Sequence, residues 1–284
     1  MSLIFLNGKW LPPERACISV YDHGFLYGDG LFETMRAYDG RIFRLAEHME
    51  RLWRGAEVIR LDIPYTRAEL GRILNDALEK NNLWNARLRL TVSRGEGPLG
   101  LDVSLCRKPN IVIMADDFNG YSPDLYTQGV SAVITSIRRQ PQVPAIKSLS
   151  FLPNIQAKME AAASGAFEGL MLSVSGHLCE GTVSNLFFIS GGKLMTPAPD
   201  CGPLPGITRQ AVLDLARKTG KLEIEEGWYT PEHLRNADEA FLTNTGMEIL
   251  PLVKVDHKNI GNGQPGVWTK RLHEIFNKWI MENG

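Results

Sequence analysis

With 284 residues, 44% of them hydrophobic, the chain has material for one large or two moderate domains around a substantial core, which excludes disorder on the scale of the whole chain. A formal net charge of -1 and a pI near 6.6 give no electrostatic basis for binding nucleic acid or an anionic membrane. No apolar run is long enough to cross a bilayer, and the start Met1-Ser2-Leu3-Ile4-Phe5-Leu6-Asn7 lacks a charged region ahead of a full hydrophobic one, so a cytoplasmic location is the expectation.

Short strand signals alternate with two helices in the first part of the chain. Leu45, Met49, Leu52, Ala56 and Ile59 recur at helical spacing and predict a helix whose apolar stripe faces the core. His48 and Arg51 lie three apart on that helix and therefore near one face; a hydrogen-bonded structural role is expected for His48. A second helix is predicted over 66–80, opened by Thr66 with Glu69 three residues later as a capping box. Strands follow over 86–93 and 110–115. Asp116-Asp117-Phe118-Asn119-Gly120-Tyr121-Ser122-Pro123 is polar and turn-rich, which sets the domain boundary near Asn119. The expected organisation is a small N-terminal α+β domain over 1–118, a connector over 119–128 and a larger C-terminal domain over 129–284 that carries Lys147.

Beyond the connector, strands are predicted over 130–135, 170–174 and 186–189, with a helix over 155–166. Pro205-Gly206-Ile207-Thr208 opens another helical pattern with Ala211, Val212, Leu215 and Ala216 on one face, and a final helix is expected to bury Trp268, Leu272, Ile275, Phe276 and Trp279. There is no internal repeat. Cys17, Cys106, Cys179 and Cys201 are scattered without a C-x-x-C pair, so they read as reduced thiols with no zinc knuckle or disulfide framework, and no metal site is expected.

Three stretches carry chemistry. Lys147, in Ala145-Ile146-Lys147-Ser148-Leu149-Ser150, is the single charge between Gln140 and Ala157, where partial desolvation favours a neutral, nucleophilic amine suited to a Schiff base. Glu180, in Cys179-Glu180-Gly181-Thr182-Val183-Ser184-Asn185, is a carboxylate of the kind that keeps a pyridine nitrogen protonated. The helix opening at Gly206-Ile207-Thr208 offers free backbone N–H groups, close approach at a glycine and a hydroxyl donor, the elements of a phosphate seat. Together they form the parts of a pyridoxal 5'-phosphate site. Taken singly, each has an ordinary reading as a surface lysine, a strand acid or a helix start.

In order and spacing these segments resemble the class IV (fold type IV) pyridoxal phosphate enzymes, which include branched-chain aminotransferases, D-amino acid aminotransferases and aminodeoxychorismate lyase. The likeness is also carried by Tyr27-Gly28-Asp29-Gly30-Leu31-Phe32-Glu33-Thr34, His48-Met49-Glu50-Arg51-Leu52, Thr243-Asn244-Thr245-Gly246-Met247-Glu248-Ile249 and Gly266-Val267-Trp268-Thr269-Lys270. It implies a two-domain α+β fold like that of D-amino acid aminotransferase, with the cofactor in the interdomain cleft. By the resemblance Lys147 is the Schiff-base lysine and the proton carrier between substrate Cα and cofactor C4′. Glu180 is the pyridine-nitrogen partner, and Arg51, Ile207, Thr208 and Thr245 meet the phosphate. A guanidinium such as Arg51 is able to hold two phosphate oxygens at once.

For substrate the chain is most similar to the branched-chain enzymes, at Tyr27, Phe32, Arg36 and Arg89. Tyr27 and Phe32 are expected to shape an apolar pocket, and the Gly246 and Met247 N–H groups to meet the α-carboxylate. The loop Gly95-Glu96-Gly97-Pro98-Leu99-Gly100-Leu101-Asp102 has apolar Leu99 and Leu101 where the D-specific enzymes and the lyase carry a carboxylate-binding arginine. Arg87 stands where the branched-chain pattern has a tyrosine. The expected activity is ping-pong transfer of an amino group from an L-branched-chain amino acid to 2-oxoglutarate. D-amino acid transamination, aminodeoxychorismate lysis and a non-catalytic cofactor-binding protein are the alternatives. The resemblance also implies a homodimer in which the loop around 99–105 reaches the neighbouring subunit's site.

Overall fold

Successive side chains of a strand point to opposite faces, and the apolar–polar alternation along 86–93 assigns one face of that strand to a core and one to chemistry. The computed structural model describes residues 2–139 and 146–283. Residues 140–145, which include Ala145 of the lysine motif and the first part of the charge-free stretch, lie outside the described residues. The chain divides into two units, one comprising the chain through Asn119 together with Ile146–Phe151, the other running from Gly120 to Glu282 without that segment.

In the first unit β1 (Ile4–Leu6), β2 (Lys9–Leu11), α1 (His23–Tyr27), β3 (Gly30–Tyr38), β4 (Arg41–Ile42), α2 (Leu45–Val58), α3 (Arg67–Lys80), β5 (Ala86–Ser93) and β6 (Asn110–Asp117) follow one another. The strands form a six-stranded sheet in the order β2-β1-β6-β5-β3-β4, each neighbouring pair antiparallel. Met35, Leu88, Leu90 and Ile113 point to the face covered by Leu52 of α2 and by Leu70 and Leu74 of α3, forming one core. Thr66 and Glu69 complete the capping box expected of α3.

Between β3 and α2 this core encloses an ion pair. Glu33 is fully buried and accepts from Arg51 Nε at 2.8 Å and Nη2 at 2.6 Å, and from His48 Nδ1 at 2.7 Å. Burial pushes the Glu33 carboxyl up, but the Arg51 charge and hydrogen bonds, helped by His48, hold it at about 2. Burial lowers His48 against the opposing pull of Glu33, so a neutral ring donates through Nδ1.

Lys147 enters this unit through main-chain pairing. Phe32 N donates to Lys147 O at 2.9 Å and Leu149 N to Gly30 O at 3.0 Å, with Leu31 opposite Ser148. The segment pairs at the start of β3, whereas β4 pairs at its end, opposite Ala37 and Tyr38. These bonds group Lys147 with the N-terminal unit and not with the C-terminal domain expected from the sequence.

The second unit contains α4 (Pro123–Gln128), within the stretch expected to be a connector, then β7 (Val130–Arg139), α5 (Leu152–Ala163), β8 (Glu168–Ser173), β9 (Leu178–Gly181), β10 (Asn185–Ser190) and β11 (Lys193–Pro197). It continues with α6 (Ile207–Thr219), β12 (Glu223–Gly227), α7 (Pro231–Arg235), β13 (Glu239–Asn244), β14 (Glu248–Val255), β15 (Lys258–Asn259) and α8 (Val267–Asn283). Its nine-stranded mixed sheet runs β12-β11-β10-β13-β14-β7-β8-β9, with β15 on β14. Leu170, Leu186, Phe188, Leu242 and Leu250 lie in its core.

Two helices differ from expectation. α5 begins before residue 155, burying Asn154, Ala157 and Ala161. In α8 the buried stripe is Thr269, Leu272, Phe276 and Ile280, while Trp268, Ile275 and Trp279 remain partly exposed. The Glu239 carboxylate fixes that rotation by accepting from the Trp268 and Thr269 N–H groups and the Thr269 hydroxyl at 2.8–3.0 Å. No helix among the described residues is long and apolar enough to cross a membrane.

The Glu33 cluster generates a prediction. Its folded carboxyl at about 2 lies below the ordinary 4.5, so the stabilisation is complete above pH 4.5 and is lost as the pH falls toward 2. Glu33→Gln leaves Arg51 buried without its countercharge and is expected to reduce stability by about 3–5 kcal/mol. It should also remove most of that acid-range dependence. Denaturant unfolding of both proteins at pH 7 and across the acid range measures this; equal acid sensitivity would contradict it.

Candidate active site

On the face of the first unit's sheet opposite α2 and α3, β3 presents Phe32, Thr34, Arg36 and Tyr38, and β5 presents Arg87, Arg89 and Thr91. Lys147 pairs at Phe32 and shares this face, its Nζ 4.4 Å from the centroid of the buried Phe32 ring. Arg89 Cζ stands 3.7 Å from the same centroid. Burial lowers the Arg89 pKa without bringing the guanidinium into the range where it loses charge. An amine and a guanidinium thus meet one apolar ring, an arrangement able to fix a carboxylate near a base while offering a nonpolar surface beside both.

Arg51 is differently committed from the sequence expectation. Two of its nitrogens, Nε and Nη2, face Glu33, so the Nε edge of the fork is not open to a phosphate. Arg36 is buried, its Cζ 4.4 Å from the Tyr38 ring and 5.1 Å from Phe118. Tyr27, expected beside Phe32, lies edge-on against the buried His23 at 4.9 Å, and its hydroxyl accepts from Gly100 N at 3.0 Å. Tyr27 is therefore tied to the loop carrying Leu99 and Leu101, which are 73% and 81% exposed and so take no part in this chain's own core.

In the second unit, hydrogen bonds and an ion pair knot together four stretches far apart in sequence. Glu180, 6% exposed on β9, accepts from Leu204 N at 2.8 Å and pairs with Arg139 Nη2 at 2.8 Å. Asn185 Nδ2 donates to Leu204 O at 2.9 Å, and Asn244 Nδ2 to Val183 O at 3.0 Å. Beneath the turn after Glu180, the fully buried Glu168 accepts from Gly169 N, from Thr182 N and Oγ1, and from Ser184 Oγ. Burial and the neighbouring Glu180 raise the Cys179 thiol, which makes it an inert, protonated packing group.

Gly206 immediately precedes α6 without a capping side chain. Ile207 and Thr208, both buried, open the helix; among the described residues no acceptor takes their N–H groups or the Thr208 hydroxyl. A Cβ at Gly206 would overlap Asn185 Oδ1, so a side chain there requires Asn185 to move. The half-buried Thr245 hydroxyl is likewise uncommitted among the described residues. Uncharged donors at a helix N-terminus, with a glycine and the Thr208 hydroxyl, fit a phosphate, and a buried carboxylate held by an arginine fits a protonated pyridine nitrogen. The Gly246 and Met247 N–H groups expected to meet a substrate carboxylate both donate to Asn244 Oδ1 at 2.8 Å, so binding there requires exchange with that side chain.

Sequence reasoning missed Glu33, Arg139, Glu168 and Asn185, whose partners lie on other elements. Asn244 carried a local signal, since an asparagine two residues before a glycine commonly closes a turn through its own side chain.

The class IV amino-transferase family matches residues 30–255. A Methanocaldococcus jannaschii protein provisionally named as a branched-chain-amino-acid aminotransferase is 42% identical over 276 residues, 96% of this chain and 94% of that one. The aminodeoxychorismate lyase of Bacillus subtilis (strain 168) is 35% identical over 98% of this chain and 94% of its own. Among solved structures, the branched-chain amino acid aminotransferase of Thermobaculum terrenum in its PLP-bound holo form superimposes with a TM-score of 0.90 at 28% identity, covering 100% of this chain and 95% of that one. The chain belongs to the class IV aminotransferases, pyridoxal phosphate-dependent enzymes of fold type IV.

Proposed function

We propose that this enzyme transfers the amino group of an L-branched-chain amino acid to 2-oxoglutarate by a ping-pong cycle. The observation that carries the reading is Phe32, with Lys147 Nζ 4.4 Å and Arg89 Cζ 3.7 Å from one ring centroid. In this reading Arg89 holds the substrate carboxylate, and Phe32 lies along its apolar side chain. Lys147 takes the proton from the substrate Cα and later returns one. Pyridoxal phosphate, when bound, supplies the electron sink and carries the amino group between the two half-reactions.

Lys147 would anchor the cofactor, Glu180 would face its ring nitrogen with Arg139 and Leu204 N fixing the carboxylate, and Ile207, Thr208 and Thr245 would donate to its phosphate. Arg51 would add positive charge there while still bound to Glu33. Tyr27, Arg36, Gly246 and Met247 complete the proposed substrate contacts. The likeness to a lyase keeps aminodeoxychorismate as a second substrate reading, and D-amino acid transamination as a third. Apolar Leu99 and Leu101, in place of a carboxylate-binding arginine, support the branched-chain reading over both.

The same reading includes a cytoplasmic homodimer. Free Cys17, Cys106, Cys179 and Cys201 are consistent with a reducing compartment. Exposed Val20, Tyr21, Phe25, Leu99 and Leu101 give a second subunit apolar surface to cover, with the loop at 99–105 reaching its site.

L-leucine added to the holoenzyme without an oxo acid is expected to convert the cofactor's visible absorbance to that of pyridoxamine phosphate, while D-alanine and aminodeoxychorismate leave it unchanged. Conversion by D-alanine alone, or pyruvate release from aminodeoxychorismate, would transfer the assignment to those activities. Lys147→Ala should reduce turnover by about 10³-fold or more while leaving the far-ultraviolet circular dichroism intact; retained turnover would refute its role. Sedimentation should give a dimer that Leu99→Asp with Leu101→Asp dissociates, with activity falling in step. A fully active monomer would overturn the shared-loop assignment.

A further inference from the structure

The turn that joins β13 to β14 carries more fastening than its length requires. Asn244 at the end of β13 pairs with Glu248 at the start of β14 across three intervening residues. Glu248 adopts a left-handed φ of +56°, a conformation costly for any residue with a Cβ and kept only where its surroundings enforce it. Those surroundings lie behind the turn. The Tyr126 hydroxyl donates to Met247 O at 3.1 Å, and His273 Nε2 stands 3.0 Å from the buried Glu248 carboxylate. Tyr126 and His273 stack on each other, their centroids 4.9 Å apart and their planes inclined by 12°, so α4 and α8 grip consecutive residues of the turn through one pair of rings.

In front, the half-buried Asn244 side chain makes a second set of bonds. Its Oδ1 accepts from the N–H groups of Gly246 and Met247, each at 2.8 Å, and its Nδ2 donates to Val183 O at 3.0 Å. A carboxamide oxygen between two adjacent amides has the position and lone pairs of one carboxylate oxygen without the charge. With strand pairing and the two rings already fixing the backbone, these bonds are not needed to close the turn. They do keep the N–H of the buried Met247 satisfied.

We propose that Asn244 is an internal competitor for the substrate carboxylate, a latch whose Oδ1 holds the two amides until a carboxylate displaces it, while Tyr126 and His273 keep those amides aimed. The carboxylate wins because charge-assisted hydrogen bonds are about twice as strong as neutral ones. The latch makes the same demand of donor and acceptor, so Asn244 weakens the hold on every substrate and product by one factor. This inference rests on the reading in which the Gly246 and Met247 N–H groups meet the substrate carboxylate.

Calorimetric titration of the holoenzyme with 4-methylpentanoate, which carries a carboxylate and no reacting group, tests it. Asn244→Ala removes the competitor and should tighten binding by about tenfold. Asn244→Asp keeps the turn-closing oxygen, adds a charge that holds the amides harder and repels the ligand, and should weaken binding by about tenfold or more. A residue that served the turn alone would give the opposite order, with aspartate native-like and alanine weakened. That order, or equal affinity in all three proteins, overturns the proposal. The aspartate variant decides the matter if the alanine variant does not fold, and glutarate replaces 4-methylpentanoate if the latter does not bind, a result that counts against the branched-chain donor alone. The Met247 amide resonance, followed in protein isotope-labelled at its methionine nitrogens, separates the remaining failures. Where it moves on titration but affinity does not follow the series, the carboxylate seat stands and the competitor falls; where it stays still, both fall.

Discussion

Two main-chain hydrogen bonds, Phe32 N to Lys147 O and Leu149 N to Gly30 O, decide what the amine of Lys147 is able to meet. A strand alternates its side chains, so a shift of one residue in this pairing would send the lysine toward the helices and Ile146 toward the chemical face. In the register adopted, Ile146 packs against the core of the first unit while Lys147 reaches Phe32. The backbone thereby sorts an adjacent apolar and a reactive residue into different environments.

Charge is handled differently in the two units. In the first, the buried negative group is Glu33, and its hydrogen bonds immobilise the helix that carries His48 and Arg51. In the second, Glu180 is held from two sides, by Arg139 and by a backbone amide from the stretch leading into α6. Glu168 underlies the turn between β9 and β10 and uses hydroxyl and amide donors alone for the same purpose. Buried polar groups with several partners hold a single geometry because losing any partner leaves an unsatisfied group in a medium of low polarity.

What was legible in the sequence follows the range of each interaction. The capping box at Thr66 and Glu69 is complete within four residues, and the α6 stripe repeats within a few turns, so both could be read from spacing. Lys147, Glu180 and Thr208 were recognisable as chemistry only through the resemblance of their segments to the class IV pyridoxal phosphate enzymes, since each taken singly has an ordinary reading. Their supports were not legible: Glu33 meets Arg51 from another element, and Asn185 meets Leu204 across a hairpin. The α8 stripe was misplaced for a similar reason. Its rotation is set by Glu239, a carboxylate that no periodicity within the helix reports.

The glycine ahead of α6 reaches further than its own backbone. The space where its side chain would stand is filled by Asn185 Oδ1, the amide of Asn185 holds Leu204 O, and Leu204 N holds Glu180. A methyl group added at Gly206 would displace Asn185, loosen Leu204 and weaken the bond from Leu204 N to the carboxylate. The absence of a methyl group at one position is thus transmitted, through two side chains and the backbone of one residue, into the direction in which an acid on another strand points.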